Sequence, residues 1–456
     1  MNDIYMTNYS VKGIKTLDKL VNLSFYKKTI TKDLSDMPKY NVKGIYGMNG
    51  TGKSAIVTSV GILKNILTNT EYLTNPIVQK NLESIINKGT EELFIETEYI
   101  VNLSNAVILF RYNVTISKDN TGKYVISKES LSFKKATSRN NDMCTVFDVQ
   151  NGKLKGIYGG TTKAIADEIV EETKNLLSLT SICAIFNEKF INLIVNNSKK
   201  AEEMFVFYIL SLYIFGKRLH VYLDQSDDHS DYIIENSFKH IEKLEGQAYI
   251  NNLIKHIVGM EIDHLKIIEA ADNVVLINEY NKFEKKICKL YEFIHIFKSD
   301  LIDIEIDKRQ DKDIFICDLI MVYDEYKINA EFESTGIKKL IKLFAYLNEM
   351  IEGSIVFIDE FDANLHDVYL CALLENMMEY GKGQLCFTTH NVGPMDVLKK
   401  RKKSIEFLSS NHKIYPWAKN GNYSPSNLYR EGMIEGSPFN VDSFDFIGAF
   451  TSDEEA

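Results

Sequence analysis

Eight consecutive residues, Gly47, Met48, Asn49, Gly50, Thr51, Gly52, Lys53 and Ser54, have the spacing GxxxxGK(S/T), and the residue types suit a triphosphate. Glycines free the backbone to curl so that successive N–H groups converge on phosphate oxygens, and a helix after the loop adds the partial positive charge of its N-terminus. Lys53 is the cation that bridges the β- and γ-phosphates, and the Ser54 hydroxyl is a ligand for Mg2+. Some three hundred residues later, "SIVFIDEFDANLH" ends four apolar residues on a pair of acids. Asp359 is placed to hold Mg2+ through water. Glu360 is the carboxylate that orients or deprotonates an attacking water, which a hydrolase needs and a mere nucleotide binder does not.

Such chemistry needs elements that hold the pieces still. Apolar residues lead into the loop from Ile45, and beyond it Ile56, Val57, Val60, Leu63, Ile66 and Leu67 recur at helical spacing, so strand, loop and helix come in the required order. "SIVFID" reads as a central parallel strand whose C-terminal edge is the ligand-binding rim of an α/β sheet. Between these, "EELFIETEYIVNL", "NAVILFRYNVTI" and "KYVISKESLSF" are β-rich segments separated by turn residues, predicting an antiparallel sheet. "IIENSFKHIEKL", "YINNLIKHIVGM" and "NKFEKKICKLYEFIHIF" are amphipathic at a 3.6-residue period and predict helices.

With these motifs in this order, the chain resembles ATPases of the ABC type, in the soluble branch that includes SMC, RecF and OLD-like heads. The resemblance covers most of the chain. It implies an α/β fold, a P-loop NTPase of ABC-ATPase type with an antiparallel β lobe and a helical insertion, acting on ATP with Mg2+. It also implies a signature of the form SxG that reaches across a dimer to the γ-phosphate held by the other subunit, and "FESTGIKKLIKLFAYL" carries Ser334 and Gly336 at those positions. "ANLH" matches the segment lining the dimer interface, with His366 where transporter ATPases have aspartate. His390 in "LCFTTHN" matches the switch histidine that contacts the γ-phosphate. The glutamine that couples nucleotide to the helical region in that family has no assigned counterpart here, and Gln79 is one candidate.

The expected organisation is an ATPase lobe over 1–195 with the phosphate loop and antiparallel segment, a helical insertion over 196–300, a second ATPase lobe over 301–420, and a tail over 421–456 that wraps the core or meets a partner. Composition agrees with a folded protein: 45% hydrophobic and 25% charged residues over 456 positions. The longest apolar run, Met204 to Phe215, falls short of the roughly twenty residues a bilayer needs and reads as a buried helix. No basic segment and cleavage site open the chain, so a cytoplasmic protein with no membrane partner is expected. Six scattered cysteines without a CxxC pair predict buried thiols rather than zinc or disulfides.

A net charge of −10 argues against general affinity for nucleic acid, leaving only a local basic face for DNA. The five cations from Lys399 to Lys403 suit either DNA phosphates or the C-terminal end of a helix dipole. The acidic stretch Asp224 to Asp231 lacks the spacing of a Ca2+ loop and reads as solvated. The stretch after His390 is too short for the nuclease domain that OLD-like proteins append, so a separate effector chain, such as a nuclease, is expected.

Two functional readings are open. In the first, ATP glues copies of this chain into a homodimer or higher homo-oligomer and hydrolysis controls a partner effector. Here "SFYKK", the phosphate loop and "SPFNVDSFDF" resemble stand-alone ATPases of anti-phage defence systems, such as AriA of PARIS and PtuA of Septu. In the second, a RecF- or SMC-like head acts on DNA in repair or chromosome maintenance.

Overall fold

A computed structural model describes residues 3–159, 200–223 and 267–438, less 28, 32–33, 70, 104–105, 141, 402, 419–422, and with 167 and 171 singly. Along the chain, β1 (Asp3–Lys12) and β2 (Val21–Ser24) precede β3 (Val42–Tyr46), α1 (Lys53–Thr68) and α2 (Pro76–Ile85). Five strands come next: β4 (Glu92–Leu103), β5 (Ala106–Lys118), β6 (Tyr124–Lys135), β7 (Cys144–Gln150) and β8 (Lys153–Ile157). Then come α3 (Lys200–Arg218), β9 (Leu219–Tyr222), β10 (Asn273–Leu276), α4 (Tyr280–Phe297), β11 (Asp303–Asp311), β12 (Ile314–Val322) and β13 (Lys327–Asn329). The last part runs α5 (Thr335–Glu352), β14 (Ile355–Ile358), α6 (Asp367–Tyr380), β15 (Gln384–Thr388), α7 (Gly393–Leu398), β16 (Ile405–Leu408), β17 (Ile414–Pro416) and α8 (Pro425–Arg430).

The central sheet has the order β17-β16-β3-β15-β14-β9 and is parallel from β16 through β9. Its strands are mostly apolar on both faces because both are covered, with buried Lys43, Glu406 and Gln384 among the exceptions. Ile355 and Phe357 of β14 face α1 and α3, while Val356 and Ile358 face α5 and α6. The predicted apolar stripe of α1 is buried along its whole length. Over α1 and α3 lies the predicted antiparallel sheet, in the order β2-β1-β4-β5-β6-β7-β8. Tyr9 of β1 shares a 2.6 Å hydrogen bond with Ser59 of α1, and Tyr99 of β4 stacks on Phe215 of α3 with ring centroids 4.2 Å apart. Gln384 of β15 ties the two sheets together, accepting from Met6 N at 2.7 Å and donating to Met6 O at 2.9 Å. A smaller sheet, β10-β12-β11 with β13 on β12, packs with α4 against the start of α5.

This arrangement corrects the expected 196–300 insertion. The run from Met204 to Phe215 does form a buried helix, but α3 lies in the core against α1, and β9 is a strand of the central sheet, paired with β14. Likewise β10 pairs with β12 rather than belonging to a purely helical segment. Helical periodicity cannot distinguish a core helix from an inserted one, and four-residue strands are too short to show a period of two. "NKFEKKICKLYEFIHIF" is α4 as predicted, whereas "IIENSFKHIEKL", "YINNLIKHIVGM" and Asp224 to Asp231 lie outside the described residues. The cysteines also differ from expectation: Cys317 and Cys386 are buried, but Cys144 and Cys288 are exposed free thiols. Among the described residues, no helix is long and apolar enough to cross a membrane.

Candidate functional site

The phosphate loop joins β3 to α1 and is shaped by its glycines. A side chain at Gly47 would meet the Leu408 carbonyl oxygen at 2.5 Å, and Gly52, at φ 102°, would meet Leu17 at 2.4 Å. Gly50, at φ 76°, faces open space, so there the left-handed backbone alone requires glycine. Thr51 pins the turn by donating its hydroxyl to Met48 O at 2.9 Å, and Asn49 is exposed at the tip. Lys53 is buried and donates to Gly47 O at 2.8 Å and Met48 O at 3.0 Å, which bends its ammonium back over the loop. Ser54 is half-buried in the first turn of α1.

The acid pair leaves the C-terminal end of β14, two strands from β3, and His390 lies just beyond the end of β15 between them. Asp359 is 2% exposed and accepts a hydrogen bond from the Thr388 hydroxyl. That hydroxyl in turn accepts the Glu360 N–H at 2.9 Å. Glu360 turns into the left-handed region, φ 45°, with its side chain exposed. Burial pushes the Lys53 ammonium down to about 8, against the opposing pull of Asp359, Glu360 and Asp362. The same groups act on His390: burial and then the Lys53 charge hold it below the ordinary imidazole value, against Asp362, Glu360 and Asp359. Loop lysine, acid pair and histidine thus share one electrostatic neighbourhood.

The shift at Lys53 has a measurable sign. Below pH 8 the ammonium is already charged in the free protein and nucleotide affinity should not vary with pH through this group. Above pH 8, binding a polyanion must draw one proton onto Lys53, so affinity is expected to fall by up to about tenfold per pH unit. Calorimetric titration with ATP at pH 7, 8 and 9, in buffers of different ionisation enthalpy, reads both the weakening and the proton uptake.

Ser334 and Gly336 lie apart from this cluster. Ser334 caps α5, its hydroxyl accepting the Ile337 N–H at 3.4 Å, and is exposed with Thr335. Gly336 packs on the turn after the acid pair, where a Cβ would meet Asn364 O at 2.9 Å. Among the described residues, no hydrogen bond or ion pair joins either to the phosphate loop, the acid pair or His390. His366 caps α6 and accepts the Val368 N–H at 3.3 Å.

Gln79, the coupling candidate, is engaged within the chain. Its amide donates to Leu73 O and Tyr124 O at 2.7 and 2.9 Å, and its oxygen accepts Tyr124 N–H at 2.8 Å, stitching α2 to β6. The basic run after α7 is also occupied internally. Lys399 pairs with Asp396 at 2.8 Å, Lys400 pairs with Glu375, Arg401 donates to Met378 O, and Lys403 donates to Ser24 and Tyr26.

Three supporting residues carry no motif. Thr388 organises both acids, and a polar residue closing the apolar run "QLCF" was its available signal. Tyr429 of α8, from the tail, stacks on Phe407 and lies edge-on to Tyr46, the residue before the loop; burial pushes its hydroxyl up to about 12. Nothing local announced it. Lys339 is the third, a cation in the buried stripe of α5.

The donors fit Mg2+. Ser54 and Asp359 offer hard oxygens, and among the described residues no cluster of three or more His, Cys, Asp or Glu forms a complete protein cage. A site of this composition suits a cation that takes its remaining ligands from phosphate and water.

A Gly-rich loop between a parallel strand and a helix, with an acid pair on a neighbouring strand end and an antiparallel lobe above, is the arrangement of an α/β P-loop NTPase fold. Residues 217–396 match the family described as "AAA domain, putative AbiEii toxin, Type IV TA system"; the matched span includes β9, the signature, the acid pair and His390 but not the phosphate loop. In overall shape the chain is similar to the solved structure of the recombination mediator protein RecF-ATPrS in the RecFOR pathway. That likeness covers 91% of this chain and 99% of the other, at 12% identity and a TM-score of 0.38. No curated protein matches the sequence.

Proposed function

We propose that this chain binds and hydrolyses ATP with Mg2+, that ATP joins two copies of it, and that the nucleotide cycle controls a separate effector in anti-phage defence. One observation carries the hydrolytic part: Lys53, Asp359, Glu360 and His390 converge at the C-terminal edge of adjacent parallel strands. Mg2+, when bound, offsets phosphate charge and polarises the γ-phosphate. The residues divide the rest of the work. The glycine loop and Lys53 hold the phosphates, Ser54 and Asp359 hold the cation, and Glu360 takes a proton from water. His390 is a hydrogen-bond donor for the γ-phosphate.

The joining of copies is supported by what the signature leaves open. Ser334 is exposed beside Phe332, which is 74% exposed, and Val368 and Tyr369 are exposed just past His366. Apolar side chains beside a polar cap suit a surface that a second copy covers, more than one facing water. The defence role draws support from the toxin–antitoxin description of the matched family. The alternative, a head acting on DNA, finds little support in the run from Lys399 to Lys403, whose described cations are engaged within the chain.

Phosphate release from ATP and Mg2+, together with mass measurement with and without ATP, tests the proposal. Turnover with ATP-dependent gain of mass supports it, and a monomer that never turns over ATP removes it. Lys53→Ala is expected to weaken ATP by about 10- to 100-fold, the worth of a charged hydrogen-bond donor at roughly 1.5–3 kcal/mol. Calorimetry reads this directly, and retained affinity would discard the assignment of the loop.

A further inference from the structure

Lys339 occupies an unusual position for a lysine. Its register on α5 places it in one stripe with Leu343, Tyr346 and Met350, all buried, and it is itself only 5% exposed. For packing alone a methionine would serve there without the cost of desolvating an ammonium. The ammonium instead donates to the carbonyl oxygen of Glu360 at 2.5 Å and lies 5.8 Å from the Tyr222 ring centroid.

The peptide it grips is the one whose conformation matters most. Glu360 sits at φ 45°, a backbone state that non-glycine residues keep only when their surroundings impose it. Thr388 holds its N–H, and its C=O accepts both the Lys339 ammonium and, at 3.0 Å, the Ala363 N–H of the turn that follows. No hydrogen bond or ion pair of the Glu360 carboxylate is found among the described residues, so the backbone fixes only where its side chain departs from the turn. One turn earlier on α5, Gly336 abuts Asn364 O, so the same helix also braces the far end of the turn that starts at the acid pair.

We propose that Lys339 is a positioning residue that holds the Glu360 backbone in the left-handed conformation aiming its carboxylate at the reaction. It acts through Glu360 and touches no substrate. Because Lys339 and the exposed Ser334 cap are rigidly joined by one helix, whatever seats on that cap also bears on the acid. The inference rests on the hydrolytic reading of the site.

The test is a pair of substitutions in two backgrounds. Lys339→Met is expected to lower kcat on the order of 10- to 100-fold, the loss typical of a misplaced catalytic group, with KM for ATP within about twofold of the unmodified protein. Lys339→Arg, which keeps a charged donor, is expected to recover much of that loss. In a Glu360→Gln background, Lys339→Met should cost no more than about twofold further, because residues acting through one group are not additive. An unchanged kcat, a rise in KM matching the loss, or an equal loss in both backgrounds overturns the positioning role. Should the Met variant fail to fold, as read by thermal melting, Lys339→Gln is measured in its place with the same outcomes. Absence of turnover in the unmodified protein would overturn the hydrolytic reading and this inference with it. Normal turnover with an indifferent Lys339 overturns the inference alone.

Discussion

Glu360→Gln is expected to slow ATP turnover by about 10²- to 10⁴-fold, the range for removing a general base, while leaving ATP affinity near its original value. The amide is close in size to the carboxylate and keeps the same backbone, so the clamps from Thr388 and Lys339 persist. What it loses is the ability to accept a proton from water. The phosphate loop and Lys53, which hold the nucleotide, are untouched. On the proposed reading, in which the γ-phosphate joins copies, ATP-bound assemblies should accumulate because that phosphate is no longer removed. Phosphate release by a stopped assay and mass measurement in ATP read the two effects. Turnover at the original rate would mean that another group activates the water.

Lys43→Met is expected to cost roughly 3–5 kcal/mol of stability, the toll of stripping one partner from a buried ion pair. Lys43 of β3 and Glu406 of β16 lie within the central sheet, with side chains 2% and 4% exposed and 2.6 Å apart. Lys43 also donates to Lys403 O and lies 5.5 Å from the Phe25 ring centroid, so its ammonium is well compensated. Glu406 is less so, since its second oxygen is buried without a hydrogen bond. Removing Lys43 alone leaves a carboxylate with no counter-charge in the core. Lys43→Met combined with Glu406→Leu removes both charges, and a paired apolar replacement of this kind is often neutral or stabilising. Thermal and urea unfolding should show the single variant as the weak one. A double variant no more stable than the single would show that packing, not the unpaired charge, sets the loss. Because β3 runs directly into the phosphate loop, the single substitution is also expected to lower the yield of active protein.

Much of the site was legible because its parts are contiguous. The curl of Gly47 to Gly52, the capping position of Ser334 and the acids closing an apolar strand are each decided by a few neighbouring residues. The α1 stripe was legible for the same reason, since a 3.6-residue period needs only one helix to express itself. Residues whose roles depend on distant partners were not. The bonds that Gln79 makes to Leu73 and Tyr124 could not be read from its own neighbours. The cations after α7 looked like a basic patch until Asp396, Glu375 and the carbonyls around them were in view. Lys339 did leave a trace, a charge where the helix asks for an apolar residue, but its partner at the exit of β14 is not near it in sequence.

By residue type and spacing alone, the chain determined a phosphate-binding loop, a candidate metal-holding aspartate, a candidate base and the two kinds of sheet around them, because hydrogen-bonding capacity, charge and periodicity are local properties. Only the tertiary structure decided that β9 joins β14 in the core, that Thr388 and Lys339 clamp the backbone of Glu360 from opposite sides, and that Tyr429 of the tail packs on Tyr46 at the entry to the loop. Those contacts join residues far apart along the chain, and which side chains meet there depends on strand register and helix packing that no short window contains.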